Sequence, residues 1–206
     1  MKWLKRAICS LCIVLCSACA TTSKPIKYYS LILDGESNRP GLIPPLASAR
    51  ATTIKNIIIA PIHLTKFLLQ DGIVTQIGRN EITVANYHRW AEPLNESIAI
   101  VLQKDLNSKA RHYHFIRLIN NRNAHAKFIL RIEMDQFYIR KSGEVVTGGH
   151  YWLFNKTTSL LHDQAFTITQ PLTANGYSSA VEKLKQSLQL LADKILAGLK
   201  GSTGEE

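Results

Sequence analysis

All four cysteines of the 206-residue chain lie in its first nineteen positions, at Cys9, Cys12, Cys16 and Cys19. They form two Cys-x-x-Cys pairs, and thiolates at this spacing can converge on a zinc ion or an iron–sulfur cluster. Zinc ribbons separate their two pairs by roughly 15 to 20 residues, whereas only residues 13–15 separate the pairs here. The spacing therefore disfavours a metal centre, and we predict none.

The same segment has the pattern of a targeting signal. Lys2, Lys5 and Arg6 precede an uncharged, mostly apolar run over residues 7–18, and such a run after a basic start is typical of a secretory signal. Twelve helical residues span about 18 Å, well short of the ~30 Å hydrocarbon core of a bilayer. We therefore predict that residues 1–18 form a signal peptide that is cleaved, rather than a membrane span.

The end of this run, Ser17-Ala18-Cys19, resembles a bacterial lipoprotein box. The resemblance implies cleavage before Cys19, with diacylglycerol on its thiol and an acyl chain on its new amino group. Ala20 in the next position implies transfer to the outer membrane. Cys16 departs from the pattern, which prefers leucine there. The alternative is an ordinary secretory signal that is cut after Ala18 and leaves Cys19 unmodified. In either case one cysteine remains, and no internal disulfide can form.

The segment His112-Tyr113-His114 is the other candidate for metal chemistry. On a strand, two imidazoles that are two residues apart point to the same side, as a pair of metal ligands can. The neighbouring Arg111 and Arg117 are cationic, and no third ligand is evident nearby. We therefore predict a polar strand edge here and no metal site.

Residue patterns for catalysis are also missing from the sequence. There is no Gly-x-Ser-x-Gly elbow, no His-Glu-x-x-His and no glycine-rich phosphate loop. We predict that the protein is not an enzyme and binds no cofactor besides its covalent lipid. The net charge is +10, but the cations are scattered. This favours an anionic lipid or acidic partner, or simple solvation, over nucleic acid.

Hydrophobic patterns predict the elements that carry these residues. Segments rich in β-branched and aromatic residues predict strands over residues 26–33, 56–64, 73–77, 81–85, 115–118, 128–138, 150–154 and 160–169. Gly78-Arg79-Asn80 predicts a turn that pairs two of these strands antiparallel. Apolar residues at helical spacing predict helices over residues 92–108 and 178–199.

This order of elements predicts an α+β fold, in which two main helices pack on one face of a largely antiparallel sheet. Residues 19–53 would contain the lipidated N-terminus, the first strand and a surface loop, since residues 34–53 are rich in proline and glycine. Residues 54–200 would complete a single periplasmic domain. Residues 201–206 would be a disordered tail.

Four short motifs lead to a family. They are Tyr28-Tyr29-Ser30-Leu31, Asp71-Gly72-Ile73-Val74, Trp90-Ala91-Glu92-Pro93-Leu94 and Gly176-Tyr177. With these motifs the chain resembles the ABC-type transport auxiliary lipoproteins, the PqiC-like family. The motif that begins at Trp90 is the most specific of the four. The long proline-containing loop and the weak lipoprotein box depart from the family pattern.

The resemblance implies a lipoprotein that faces the periplasm from the outer membrane and partners an MCE-domain protein, which conducts phospholipid between the two membranes. A homo-oligomeric ring of copies would suit this role. A scaffold or activator of another envelope machine, such as cell-wall synthesis, is the alternative function.

We expect the partner interface near two parts of the sequence, the Asp71-Gly72 loop and the aromatic segment before the first helix. The candidate residues are Asp71, Gly72, Tyr87, Trp90, Pro93 and Leu94. The alternative is that Tyr87, Trp90 and Leu94 simply pin the helix to the sheet, because aromatic burial at element boundaries is common.

Overall fold

The structure is a computed structural model that describes residues 24–33, 54–118, 126–155, 157 and 159–202. The predicted signal peptide, Cys19, the loop over residues 34–53 and the last four residues of the tail lie outside this part. The helices are α1 (Leu94–Lys109), α2 (Tyr177–Ser202) and a 3₁₀ helix (Lys66–Leu69). The strands are β1 (Lys27–Tyr29), β2 (Lys55–Ile59), β3 (His63–Leu64), β4 (Gly72–Gly78), β5 (Glu81–Trp90), β6 (Tyr113–Arg117), β7 (Phe128–Arg140), β8 (Glu144–Asn155) and β9 (Leu160–Pro171).

Strand β7 is the centre of the sheet. On one side it pairs along its whole length with β8, which in turn pairs with β9. On the other side three strands share its length: β2 near its beginning, β3 at its middle and β4 near its end. Strand β6 extends the sheet beyond β2, while β5 and then β1 extend it beyond β4. The described sheet therefore forks into two branches on this side of β7.

The predicted α+β class is confirmed, with a mixed sheet. The longest pairings, β7 with β8 and β8 with β9, are antiparallel, and the predicted β4–β5 hairpin is antiparallel too. The pairings of β1 with β5, of β2 with β6, and of β7 with β2, β3 and β4 are parallel. Side-chain alternation reveals which face of a strand is buried but not the direction of its partner, so the sequence could not predict these parallel pairs.

The hydrophobic core lies between the helices and one face of the sheet. On β7, Leu130, Ile132 and Met134 are buried, while Arg131 and Glu133 between them are exposed. The helices contact each other as well as the sheet. The two apolar stripes predicted from the sequence are buried, as Leu94, Ile98, Val101, Leu102 and Leu106 on α1, and Val181, Leu184, Leu188, Leu191, Ile195 and Leu199 on α2.

Several elements extend beyond their predicted bounds. Strand β5 continues to Trp90, so the aromatic segment before the first helix is itself a strand. Strand β8 begins at Glu144 rather than residue 150, and α2 continues to Ser202, into the predicted tail. Helix α1 begins at Leu94 with Pro93 as its N-cap, whereas the sequence placed Pro93 in the first turn. None of the helices in the described part has the length and apolar character needed to cross a bilayer.

Candidate functional site

The Asp71-Gly72 segment lies directly against the end of β5. The backbone N–H of Trp90 donates to the carbonyl oxygen of Asp71 at 2.8 Å, and Gly72 pairs with Arg89 across the strands. A Cβ atom on Gly72 would stand 2.6 Å from Cγ1 of Val84 and closer still to the carbonyl oxygen of Ala85. Real Cβ atoms are not found this close to backbone atoms, so the two strands can approach here because residue 72 is glycine.

Strand β1 holds the other side of the β5 end. Tyr29 pairs with Trp90, and the N–H of Ala91 donates to the carbonyl oxygen of Tyr29 at 2.8 Å. One residue further, the hydroxyl of Ser30 donates to Oε1 of Glu92 at 3.1 Å. Residues from three of the four motifs therefore meet at this point.

The fourth motif joins them through an aromatic cluster. Tyr177, the first residue of α2, stacks on His88 with 4.0 Å between ring centroids, and Tyr29 lies 6.2 Å from Tyr177. The hydroxyl of Tyr29 and Nδ1 of His88 are 2.9 Å apart, within hydrogen-bond distance. Burial, and secondarily the neighbouring Tyr177, raise the pKa of Tyr29, so this hydroxyl stays neutral at physiological pH. The cluster ties β1, β5 and α2 together.

The candidate aromatic and leucine residues divide between core and surface. Trp90 and Leu94 are only 8% and 6% exposed, and the Trp90 ring lies 6.2 Å from that of Phe137. Tyr87, by contrast, is 44% exposed. Trp90 and Leu94 therefore pack in the core, and a partner could contact Tyr87 far more extensively.

A cavity of about 450 Å³ opens where β5 ends and α1 begins. We call it the β5 cavity. Its lining residues are Tyr28, Leu69, Gln70, Asp71, Arg89, Trp90, Ala91, Glu92, Pro93, Leu94 and Asn95. It brings together four of the predicted site residues: Asp71, Trp90, Pro93 and Leu94. Gly72 and Tyr87 do not line it.

Two lining residues that were not among the predicted interface residues are among the most exposed apolar side chains of the described chain. Tyr28 is 64% exposed and Leu69 is 56% exposed. Tyr28 belongs to a motif that we recognised, but its exposure depends on the pairing of β1 with β5. Leu69 ends the 3₁₀ helix, and nothing in its local sequence indicates that it reaches the same cavity.

The β5 cavity contains charged groups of both signs. Asp71 and Glu92 contribute carboxylates, and Arg89 contributes a guanidinium whose Nε donates to the carbonyl oxygen of Asn86 at 3.1 Å. Within the ranges that the structure covers, no three His, Cys, Asp or Glu side chains are grouped as a metal ion would require. An open cavity with apolar side chains at its rim and a few charged groups suits recognition of a protein segment.

Comparisons with known proteins find a matching family and solved structures of similar fold. The sequence profile of the ABC-type transport auxiliary lipoprotein component matches residues 42–196. The crystal structure of an uncharacterized protein is 19% identical, covers 85% of this chain and 99% of its own, and has a TM-score of 0.69. A DUF330 protein from Xanthomonas campestris is 13% identical, with 73% and 87% covered and a TM-score of 0.62.

The PelC dodecamer from Paraburkholderia phytofirmans is 12% identical, with 71% of this chain and 87% of its own covered and a TM-score of 0.46, which is too distant to transfer its assembly. No match to a curated protein was found. The first two of these structures share the fold with this chain, and at these identities they show nothing more. The family profile spans most of the sequence, and it includes the Asp71-Gly72 loop, the end of β5 and the start of α2. The chain therefore belongs to the family of ABC-type transport auxiliary lipoprotein components.

Proposed function

We propose that this chain is a non-catalytic adaptor, anchored in the outer membrane, for an MCE-domain system that moves phospholipid between membranes. In this proposal the β5 cavity and its rim receive the MCE-domain protein. The description of the family as a transport auxiliary lipoprotein supports the general role, and the partner is inferred from the family resemblance.

The observation that carries the site is the convergence of separate motifs on one cavity. Asp71 and Pro93 are distant in sequence from Tyr28, yet all three line the β5 cavity. Core packing accounts for Trp90 and Leu94, but it does not account for a rim with two exposed apolar side chains, Tyr28 and Leu69. Exposed apolar groups beside charged ones are typical of protein interfaces.

The proposed anchor is the lipid on Cys19. Only residues 20–23 separate Cys19 from the described chain at Lys24, so the domain would remain close to the membrane surface. Ala20 favours the outer membrane over the inner one, according to the lipoprotein pattern. We propose that several copies assemble as a ring on this membrane, and light scattering of the detergent-solubilised lipoprotein would measure their number.

The site is tested by the retention of the MCE-domain protein on tagged lipoprotein in mild detergent. Asp71→Lys reverses a charge at the rim, and because Asp71 is exposed, the domain should fold normally. We expect Asp71→Lys to lower retention about tenfold or more, because a reversed charge at an interface opposes the partner's charge instead of complementing it. Asp163→Lys is the matched control on β9, at the opposite edge of the sheet.

The exposed carboxylate of Asp163 contacts the imidazole of His150 at the surface, so its replacement should change stability little. Trp90→Ala would remove a buried aromatic ring and lower the melting temperature, and it therefore reports on the core. Equal retention by the Asp71 and Asp163 variants, with both folded, would reject the β5 cavity as the site. If wild-type protein retains no MCE-domain protein, the adaptor function itself is rejected.

A further inference from the structure

The two ends of β5 lie in different surroundings. The β5 cavity lies at the Trp90 end, and the β4–β5 hairpin turn, at residues 79 and 80, lies at the Glu81 end. Strand β1 runs parallel to β5, with Lys27 opposite His88. The chain that precedes β1 therefore enters from the side of the hairpin turn. At about 3.3 Å per residue, His88 and Glu81 are separated by about 23 Å along the strand.

The length of the tether limits how far the domain can stand from its anchor. Lys27 is eight positions after Cys19, and eight fully extended steps of the chain span at most about 28 Å. With the lipid anchor of the proposed function on Cys19, on which this inference rests, the start of β1 remains within this distance of the membrane. Because this reach exceeds the roughly 23 Å between Lys27 and the level of the hairpin turn, the turn can rest on the same membrane.

The hairpin tip carries exposed isoleucines on both of its faces. Ile77 is 39% exposed and Ile82 is 41% exposed. Ile82 pairs with Gln76, and because successive side chains of a strand alternate, Ile77 points to the opposite face. A single partner patch on one face of the sheet would not cover both sides of this tip.

Two exposed cations lie at the hairpin tip. Arg79 is in the turn between β4 and β5. Lys141 is also exposed and adjoins the hairpin, because its backbone N–H donates to the carbonyl oxygen of Gln76 at 2.9 Å. The nearby acids only partly offset this charge.

Of these acids, Glu144 is paired with Arg140 at 2.8 Å. Glu81, at the start of β5, is the other acid near the tip. Lysine and arginine beside exposed aliphatic groups are the combination that attaches a surface to anionic lipid headgroups.

We propose that Ile77, Arg79, Ile82 and Lys141 form a membrane-docking surface, here called the tip surface, which rests on the anionic headgroups of the bilayer that holds the anchor. The lysine and arginine contact headgroups, and the isoleucines enter the interfacial layer. Strand β5 then stands upright on the membrane. Its ten residues place the β5 cavity about 30 Å further from the bilayer than the hairpin turn, facing away from the membrane.

The test uses the mature lipidated protein in vesicles of phosphatidylethanolamine and anionic phosphatidylglycerol. A single cysteine is introduced as Ile82→Cys at the tip, or as Leu69→Cys at the β5 cavity, and is labelled with an environment-sensitive fluorophore. Lipids that carry a quencher at the headgroup report proximity to the bilayer. We expect strong quenching and a blue-shifted emission at position 82, and neither at position 69. Equal responses at the two positions would overturn the proposal.

Charge reversal tests the contribution of the cations. Arg79→Glu should lower the ratio of docked to undocked domain about tenfold, and replacing the anionic lipid with phosphatidylcholine should have a similar effect. Lys66→Glu, an exposed position on the 3₁₀ helix beside the β5 cavity, is the matched control and should change nothing. If Arg79→Glu and Lys66→Glu behave alike, electrostatic docking by the tip surface is wrong.

These results can be separated from those for the proposed function. Arg79→Glu should still retain the MCE-domain protein in detergent, where no bilayer is present. If the wild-type domain docks on the vesicles but retains no MCE-domain protein in detergent, the adaptor is rejected and the tip surface is supported. Retention without quenching at position 82 would support the adaptor and reject the tip surface. Mass spectrometry that finds no lipid on Cys19 would contradict both the anchor and the docking geometry that depends on it.

Discussion

Gly72 is the residue that lets β4 lie close to β5 beside the β5 cavity. A methyl group at this position would overlap Val84 and the backbone of Ala85. We expect Gly72→Ala to destabilise the domain by about 2 kcal/mol, since overpacking of a tight contact costs about 1–3 kcal/mol. Thermal melting measures this loss.

Gly78→Ala is the control for Gly72→Ala. Its nearest contacts, to the Glu81 side chain, are at 3.3 Å, so a small shift can accommodate the methyl group. If the melting temperature of Gly72→Ala equals or exceeds that of Gly78→Ala, the close approach of β4 and β5 is not a structural requirement.

The carboxyl group of Asp105 on α1 should make the stability of the folded domain depend on pH. Burial raises the pKa of its carboxyl group despite the opposing effect of Lys109 and Lys104, and Oδ2 is buried without a hydrogen-bond partner among the described residues. The folded state thus favours the protonated form. The stability that this preference contributes is fully present below the pKa of the unfolded chain and is lost as pH rises through the raised folded pKa.

Asp105→Asn should therefore raise the melting temperature at pH 7. This gain should shrink as pH falls through the titration range of the carboxyl group, because the wild-type residue then becomes neutral as well. A melting temperature unchanged at pH 7, or a gain that grows at acidic pH, would contradict the raised pKa.

At the scale of elements, α2 is predicted to be a packing helix rather than a partner-binding one. Leu188 on its inner stripe is fully buried, and Leu190 on the same helix is 44% exposed. We expect Leu188→Asp to unfold the domain, because an unpaired buried carboxylate costs an amount comparable with a total stability of about 5–15 kcal/mol. Leu190→Asp should melt within about 2 °C of wild type, since exposed substitutions change stability little. Similar melting of the two variants, measured by circular dichroism, would be inconsistent with this packing.

The elements with a clear period were predictable from the sequence, and those fixed by tertiary contacts were not. The stripes of α1 and α2 repeat at every three or four residues, which determines both the helix and its buried face. The first half of β8 was missed because it contains Gly148 and Gly149, which are uncommon in strands. In the structure both glycines pair with β7 where the register shifts, between Met134 and Gln136.

The site was predictable in its parts but not in its assembly. The motif residues Asp71, Trp90 and Pro93 could be selected from the sequence, and they do line one cavity. Which of the aromatics would be buried could not be predicted, because Tyr87 and Trp90 lie on opposite faces of β5 and only the packing of β1 and α1 decides which face is covered. Leu69 could not be found at all, since it reaches the cavity only through the tertiary fold.

At the scale of the whole molecule, the proposed lipid on Cys19 is the feature on which the proposed localisation depends. A diacylglyceryl group and an N-acyl chain would make anchoring effectively permanent, because each buried methylene contributes about 0.8 kcal/mol. We expect mass spectrometry of the mature N-terminus to show triacylated Cys19 and the protein to fractionate with outer membranes. Cys19→Ser should abolish both results. An unmodified Cys19 in a soluble periplasmic protein would contradict the lipoprotein assignment.

The central claim is that the β5 cavity meets an MCE-domain protein in the cell envelope, and site-specific photocrosslinking in living cells tests it most directly. A photoreactive amino acid would replace Leu69, which lines the cavity and is 56% exposed, or Leu160, which is 51% exposed on β9 at the opposite edge of the sheet. The account predicts a crosslink to the MCE-domain protein from position 69 and none from position 160. No crosslink from position 69, or an equally strong one from position 160, would contradict it.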